Sequence, residues 1–296
     1  MLISLFSVSL CAQVGINSFL KLSDSINKTR KNTVLIAEIG LATTALVGLN
    51  QLWYKDYPRS DFHFINDNSE WLQMDKLGHF YSAYHLNRIG SETMNWAGAS
   101  KKQQWVYGSA LSLGFLTTVE IFDGFSEKWG ASPGDIIANL SGTGLYVSQE
   151  LLWKEQRIVP KFSFHTTQYA AMRPDVLGAS FQEQILKDYN GQTYWLSVNL
   201  HSFFKNSKIP KWFNLALGYG GEGMVFGEDF ASNDPNLSYI KRKRQFYLSF
   251  DADLTKIETK SHFLKTLFSI VNNLKIPAPT VKLGSDRDVD FYGCYF

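Results

Sequence analysis

Cysteine is nearly absent from this chain. Cys11 and Cys294 are its two cysteines among 296 residues, so no disulfide framework can hold the fold. Charge is also sparse: 19% of residues are charged and the net charge is +2, below the usual quarter of a globular chain. One dense basic run exists, Lys241-Arg242-Lys243-Arg244. Four such charges read as a solvated loop, so no nucleic-acid partner is expected. There is no glycine-rich phosphate loop, no nucleophile elbow and no cysteine pair. A His-x-x-x-His zinc pair is missing as well. A mean hydropathy of −0.15 argues against a chain wholly embedded in lipid.

Apolar and aromatic residues are plentiful, at 45% and 15%. The first twelve residues form a short apolar run that ends near Cys11-Ala12-Gln13. It resembles a secretory signal without a basic leading segment. Cleavage after export, lipid anchoring at Cys11 and a buried terminal helix are the alternatives. Val34 to Leu49 is apolar except for Glu38 and is threaded with Ala37, Gly40, Ala45 and Gly48. A helix here packs closely on neighbours and is almost long enough to span a bilayer, with Glu38 facing protein or near an interface; a buried helix of a soluble bundle is the alternative. Residues 53–68 form a loop of rings and polar tips, suited to a membrane interface or a lid. His63 in that loop reads as structural.

Three later apolar segments each carry a polar pair at helical spacing. Asp75 and His79 are four apart, Glu120 and Asp123 three apart, Asp135 and Asn139 four apart. Each pair then shares one helix face. The first helix is expected to start at a Ser69 cap and run toward Ile89; the second covers Gln103 to Phe122. Glu120 sits at the C-terminal end of its helix, where the macrodipole disfavours a carboxylate, so it needs a partner. Ser132-Pro133-Gly134-Asp135 opens the third helix, which runs to about Trp153, and Asp135 could merely complete a capping box there. An unpaired buried charge costs several kcal/mol. These six residues are therefore expected to converge in one partly buried site.

The fold class expected is α+β: a membrane-associated helical bundle over 28–155, then a small antiparallel β-rich unit with one helix over 192–296. Residues 156–191 read as a linker with a short strand at Lys161 to His165 and a short helix capped by Ser180 and Glu183. Beyond Gly191 the apolar period changes from 3.6 to 2. Strands are expected at Tyr194 to His201, Trp212 to Tyr219, Gln245 to Asp253 and Asp290 to Phe296. Phe263 to Leu274 reads as an amphipathic helix stopped by Ile276-Pro277-Ala278-Pro279.

Asp75-Lys76-x-x-His79-Phe80, Glu120-x-x-Asp123 and Ser132-x-x-Asp135, with Asn139 and Gly142, resemble the pattern of domain of unknown function 2279, a family of predicted periplasmic lipoproteins. Their order is also similar to that of VanZ-like membrane proteins. The resemblance covers about Glu70 to Trp153. It implies a bacterial cell-envelope location, membrane-associated or periplasmic, and a helical bundle, and it implies no reaction. Membrane lipid is the expected partner. Three roles are open for the cluster. It is a polar network that fixes helix packing. Or it serves a hydrolase or transferase acting on a lipid or cell-wall precursor, with His79 as general acid or base. Or it is a metal site, where one histidine and several carboxylates suit Mg, Mn or Zn.

Overall fold

The computed structural model describes residues 15–228, 237 and 239–296. The expected signal segment and Cys11 lie outside the described residues. Helix α1 covers Lys28–Leu49 and widens into a π-helical turn over Asn50–Tyr54. Asn27 caps it by accepting from the Arg30 amide at 3.0 Å. Helix α2 is Met74–Trp96, α3 is Lys101–Gly124 and α4 is Pro133–Leu152.

Helix α2 lies between α3 and α4, and small residues set the spacing. A Cβ on Gly108 of α3 would lie 2.3 Å from the Asn87 carbonyl oxygen, and one on Gly142 of α4 would lie 2.1 Å from that of Phe80. Nothing larger than hydrogen fits at either crossing. Ser112 fastens the same contact, donating to the Ala83 carbonyl at 2.8 Å. Gly40, Gly48 and Gly114 behave differently: each faces open space. The expectation that α1 packs closely through its small residues is thus corrected. Among its described residues only Val34 and Glu38 are buried. Glu38 accepts from Thr93 at 2.7 Å and Tyr107 at 2.6 Å, turned to protein as expected, while Ile36, Ile39 and Leu41 are exposed.

Among the described residues six antiparallel strands follow in chain order: β1 Ile158–Phe164, β2 Gln192–Asn199, β3 Phe213–Glu222, β4 Lys243–Ala252, β5 Ala278–Gly284 and β6 Val289–Tyr295. Four long strands and a short one were expected. The sixth, β5, hides behind Pro277 and Pro279, which read as a helix stop. A register irregularity between Ala278 and Thr280 accommodates Pro279, which has no amide proton to give the ladder. The 156–191 stretch supplies β1, an edge strand, and the expected short helix Phe181–Lys187. The basic run is not a free loop: Lys243 and Arg244 open β4, and Lys243 pairs with Asp286.

The sheet reverses the usual polarity of its two faces. Its inner side buries Lys161 against Asp251 at 2.8 Å, with Ser197 donating to Asp251 at 2.6 Å. Lys161 also donates to Asn272 at 3.2 Å, a residue just past the helix His262–Val271. Its outer side carries Leu196, Leu217 and Leu248 in register on three strands, all exposed.

The sheet also fixes where α2 begins. Ser69 makes no side-chain cap. Instead Trp71, Leu72 and Gln73 take positive φ values of 45°, 52° and 65° before the helix starts at Met74. Such a backbone costs about 1–3 kcal/mol per residue and persists only when surroundings impose it. Tyr219 of β3 donates to the Leu72 carbonyl at 2.6 Å, Arg244 of β4 donates to Gln73 Oε1 at 2.5 Å, and the Trp71 amide donates to Gly227 at 2.8 Å.

Two glycine substitutions separate these packing roles. Gly142→Ala should destabilise the protein by about 1–3 kcal/mol, because α2 and α4 must part. Gly114→Ala, in open space, should stabilise it by about 0.5–1 kcal/mol through helix propensity. Denaturant melts of both variants check this; equal effects would refute the packing account.

Candidate functional site

The turned start of α2 places Asp75 and Lys76 in its first turn, with His79 one turn on. Lys76 is the centre. Its ammonium lies 2.6 Å from Asp67, 3.2 Å from Asp75 and 2.9 Å from Asp135 Oδ2. An ammonium has three donors, and here three carboxylates take them. Asp67 comes from the aromatic loop and Asp135 from α4, so one side chain ties three segments together.

Ser132 does a second piece of joining. Its hydroxyl donates to Asp67 at 2.6 Å and accepts from the Asp135 amide at 3.2 Å. In a capping box the third helical residue would return its carboxylate to the Ser132 amide. Asp135 does not: its carboxylate is on Lys76, and the Ser132 amide donates to Glu120 Oε2 at 3.0 Å. Glu120, at the unfavourable end of α3, is thereby held by the start of α4.

His79 faces both groups. Its Nδ1 is 3.1 Å from Asn139 Oδ1 and 3.6 Å from Glu120 Oε1, and its Nε2 is 3.9 Å from Asp75. Tyr189 donates to Asp75 at 2.9 Å from beyond the bundle. Glu120 is 4% exposed, and among the described residues its Oε1 has no hydrogen-bond partner. Beside it, under Phe62 and Phe64, opens an apolar cavity of about 290 Å³ to whose wall Glu120 and Asn139 contribute.

Asp75, His79, Glu120, Asp135 and Asn139 thus meet as the sequence led us to expect. Asp123 points elsewhere and accepts from Tyr54 at 2.8 Å, fastening the end of α1 to α3. Sequence reasoning missed Lys76, Asp67, Ser132 as a site residue, and Tyr189. Charge balance could have found Lys76: several buried acids need a cation, and Lys76 sits inside the motif. Neither Asp67 nor Tyr189 carries any periodic signal.

The charges act on one another. Burial would raise Asp75, but His79, Lys76 and Tyr189 hold it below the usual carboxylate range. Asp135 is pushed up to about 7, by burial first and then by Asp75, against the pull of His79 and Lys76. Two carboxylates around one ammonium therefore titrate apart. Burial would lower His79, yet Asp75, Asp135, Glu120 and Asn139 together raise it. A histidine raised in this way keeps its proton to higher pH than a free imidazole does, which suits it to donate one. Asp75, His79 and Asp135 also offer three ligand atoms within 4.8 Å of one another. A divalent ion there would share Asp75 and Asp135 with the Lys76 ammonium, which already supplies their compensating charge.

A predicted periplasmic lipoprotein family, DUF2279, has a profile that matches residues 61–150. The match takes in Asp67, Lys76, His79, Glu120, Ser132, Asp135 and Asn139, and stops before Tyr189 and the sheet. The family's description agrees with a cell-envelope location, membrane-associated or periplasmic. No curated protein and no solved structure matches the chain.

Two measurements probe this charge arrangement. Lys76→Met leaves three acids uncompensated and should cost about 3–5 kcal/mol of stability; a denaturant melt near wild type would refute its central place. A carboxyl raised in the fold binds its proton more tightly than the unfolded chain does. The contribution of Asp135 is complete below its unfolded value of 3.8 and is lost as pH rises through about 7. His79, also raised, acts in the same direction. Asp135→Asn removes the first contribution, so its stability relative to wild type should climb between about pH 4 and pH 8. A difference that does not change with pH would contradict the assignment.

Proposed function

We propose that this chain is a membrane-associated protein of the bacterial cell envelope whose helical bundle carries an acid–base centre. The membrane part of the reading is supported by helices that carry apolar residues outward. Residues Lys28–Tyr54 and Lys101–Gly124 are long and apolar enough to cross a bilayer. Helix α1 buries its one acid and exposes Ile36, Ile39 and Leu41, the reverse of a helix in water. The exposed leucine row of the sheet points the same way. Membrane lipid is the partner that fits these faces.

One observation favours chemistry over packing alone: Glu120 Oε1, buried and without a hydrogen bond among the described residues, lies 3.6 Å from the His79 ring. A network that exists only to fix packing satisfies its members. This one leaves a buried carboxylate oxygen without a hydrogen bond beside an imidazole that can titrate. We therefore favour a hydrolase or transferase acting on a lipid or cell-wall precursor. In it His79 is the general acid or base, Asp75 orients the ring through Nε2, and Glu120 is the second carboxylate. Asn139 fixes Nδ1, Asp135 and Lys76 set the local charge, and Asp123 secures the end of α1. Metal assistance through Asp75, His79 and Asp135 is the variant in which a cation replaces Lys76 on the two acids.

Melting temperature and cellular phenotype of His79→Ala and Glu120→Gln decide the matter. Loss of phenotype with a near-normal melt supports chemistry. A fall of about 1–3 kcal/mol in stability with phenotype lost in proportion assigns the centre to packing. Fractionation tests the membrane part: the protein should pellet with membranes after low-salt lysis, and full recovery in the soluble fraction would overturn it.

A further inference from the structure

We infer that the outer face of the β1–β6 sheet is seated in one leaflet of a membrane, its centre among the acyl chains and its charged rim among the head groups. This rests on the membrane reading above and extends it from the helices to the β-rich half of the chain. Strand register carries the inference. Leu196, Leu217, Leu248, Val281 and Phe291 stand side by side across β2 to β6, an unbroken apolar row. Two residues along, Val198, Leu215 and Phe250 form a second row on the same face. Two residues the other way, Phe246 stands beside Leu283. Leu217, Leu248, Phe246 and Phe250 are all exposed. The opposite face keeps the polar groups: Asn214 donates to Ser197 at 2.8 Å and Thr280 to Ser249 at 2.9 Å, all four buried. A sheet with one face in water turns its polar residues to that face. Polar residues inside and apolar ones outside is the arrangement of strands whose outer solvent is lipid.

The apolar face is also convex. The rings of Trp195 on β2 and Tyr295 on β6 have centroids 6.1 Å apart, and the hydroxyls of Thr193 and Tyr295 are 3.2 Å apart. In a flat sheet those two strands would be four spacings, about 19 Å, apart, beyond the reach of a threonine and a tyrosine. The sheet therefore curls toward its polar side, and its apolar side bulges outward. Two such bulges meet over little area, which disfavours a second copy packed face to face. A protein partner would also want hydrogen bonds, about one per 100–200 Å², and the two apolar rows offer no side-chain nitrogen or oxygen. Acyl chains follow a convex surface and ask for none. Charge frames the bulge. The exposed pair Lys211 and Glu258 stands at one end of the strands, and Lys243 with Asp286 at the other. An open strand edge cannot lie in hydrocarbon. β6 ends the sheet, and Asp290, paired with Lys282 at 2.8 Å, keeps that edge at the rim. The bulge thus dips while its margins stay wet, a depth of about 5–10 Å, as for an amphipathic helix lying in the interface.

The experiment uses the full chain, with Cys11→Ser and Cys294→Ser as background, in vesicles of phosphatidylethanolamine and phosphatidylglycerol. Single cysteines carrying an environment-sensitive fluorophore are placed at Leu217→Cys and Leu248→Cys on the bulge, Lys208→Cys beyond its rim and Ile39→Cys on α1. All four positions are exposed, so melting temperatures in detergent should stay at that of the background. Quenching by iodide reports water, and quenching by lipids with a nitroxide on the acyl chain reports hydrocarbon. Leu217 and Leu248 are expected to emit to the blue, to be quenched by the nitroxide, and to be at least about fivefold less open to iodide than Lys208, because an ion does not enter hydrocarbon. A nitroxide near the head-group end of the chain should quench them more than one near the methyl end. Leu217 and Leu248 as open to iodide as Lys208 would overturn the inference. So would shielding from both quenchers, which would mean that protein, a second copy or another chain, covers the face. The two proposals fail separately. Ile39 in lipid with both sheet positions in water keeps the membrane reading of the helices and removes this one. Both sheet positions in lipid with Ile39 in water keeps the sheet as the membrane contact and removes α1 from it.

Discussion

The ammonium of Lys76 is the contact on which the bundle's polar centre depends. Three carboxylates from three segments, Asp67, Asp75 and Asp135, converge within hydrogen-bonding distance. Without the cation they would repel one another in a half-buried setting where water screens them only in part. With it, the loop, the start of α2 and the start of α4 are held at fixed separation. Everything further in the site inherits that separation. His79 stands one turn above Lys76, Asn139 one turn above Asp135, and Glu120 is reached through Ser132, the residue that caps α4.

Much of this was legible in the sequence because helical geometry converts spacing into direction. The pairs Asp75/His79 and Asp135/Asn139 had to share faces, and apolar surroundings made convergence the cheapest solution. Asp123 shows the limit of that logic. It shares a face with Glu120, but Tyr54 at the end of α1 takes its carboxylate. Proximity in three dimensions overrode a one-dimensional pattern. The capping-box reading of Asp135 failed for a related reason. Glu120 occupies the Ser132 amide that Asp135 would have used, and no local sequence rule can see a competitor twelve residues upstream.

Elements fixed by distant contacts were the least legible. Trp71, Leu72 and Gln73 have no sequence feature that asks for left-handed backbone, and glycine or asparagine would ordinarily mark it. Their conformation is imposed by β3, β4 and Gly227, none of which is local. Strand β5 was masked because proline signals normally end a helix or forbid a central strand, and a register irregularity absorbs Pro279 instead. The basic run was misjudged because Arg244 is spent on Gln73 and Tyr219, a use that composition does not reveal.

The left-handed start of α2 has a temporal consequence. The residues that enforce it lie 147 and 171 positions away along the chain. Contacts of such separation close late, because loop closure must precede them. The α2–α3–α4 crossings, by contrast, join near neighbours in sequence and can form first. A chain emerging from synthesis would therefore build its hydrocarbon framework while Asp75 and Lys76 are still unplaced. It would gain an ordered ion cluster only when β3 and β4 have paired. The chemistry of the centre is in this sense a signal of completed folding: a nascent or truncated product would have the bundle without the assembled charges.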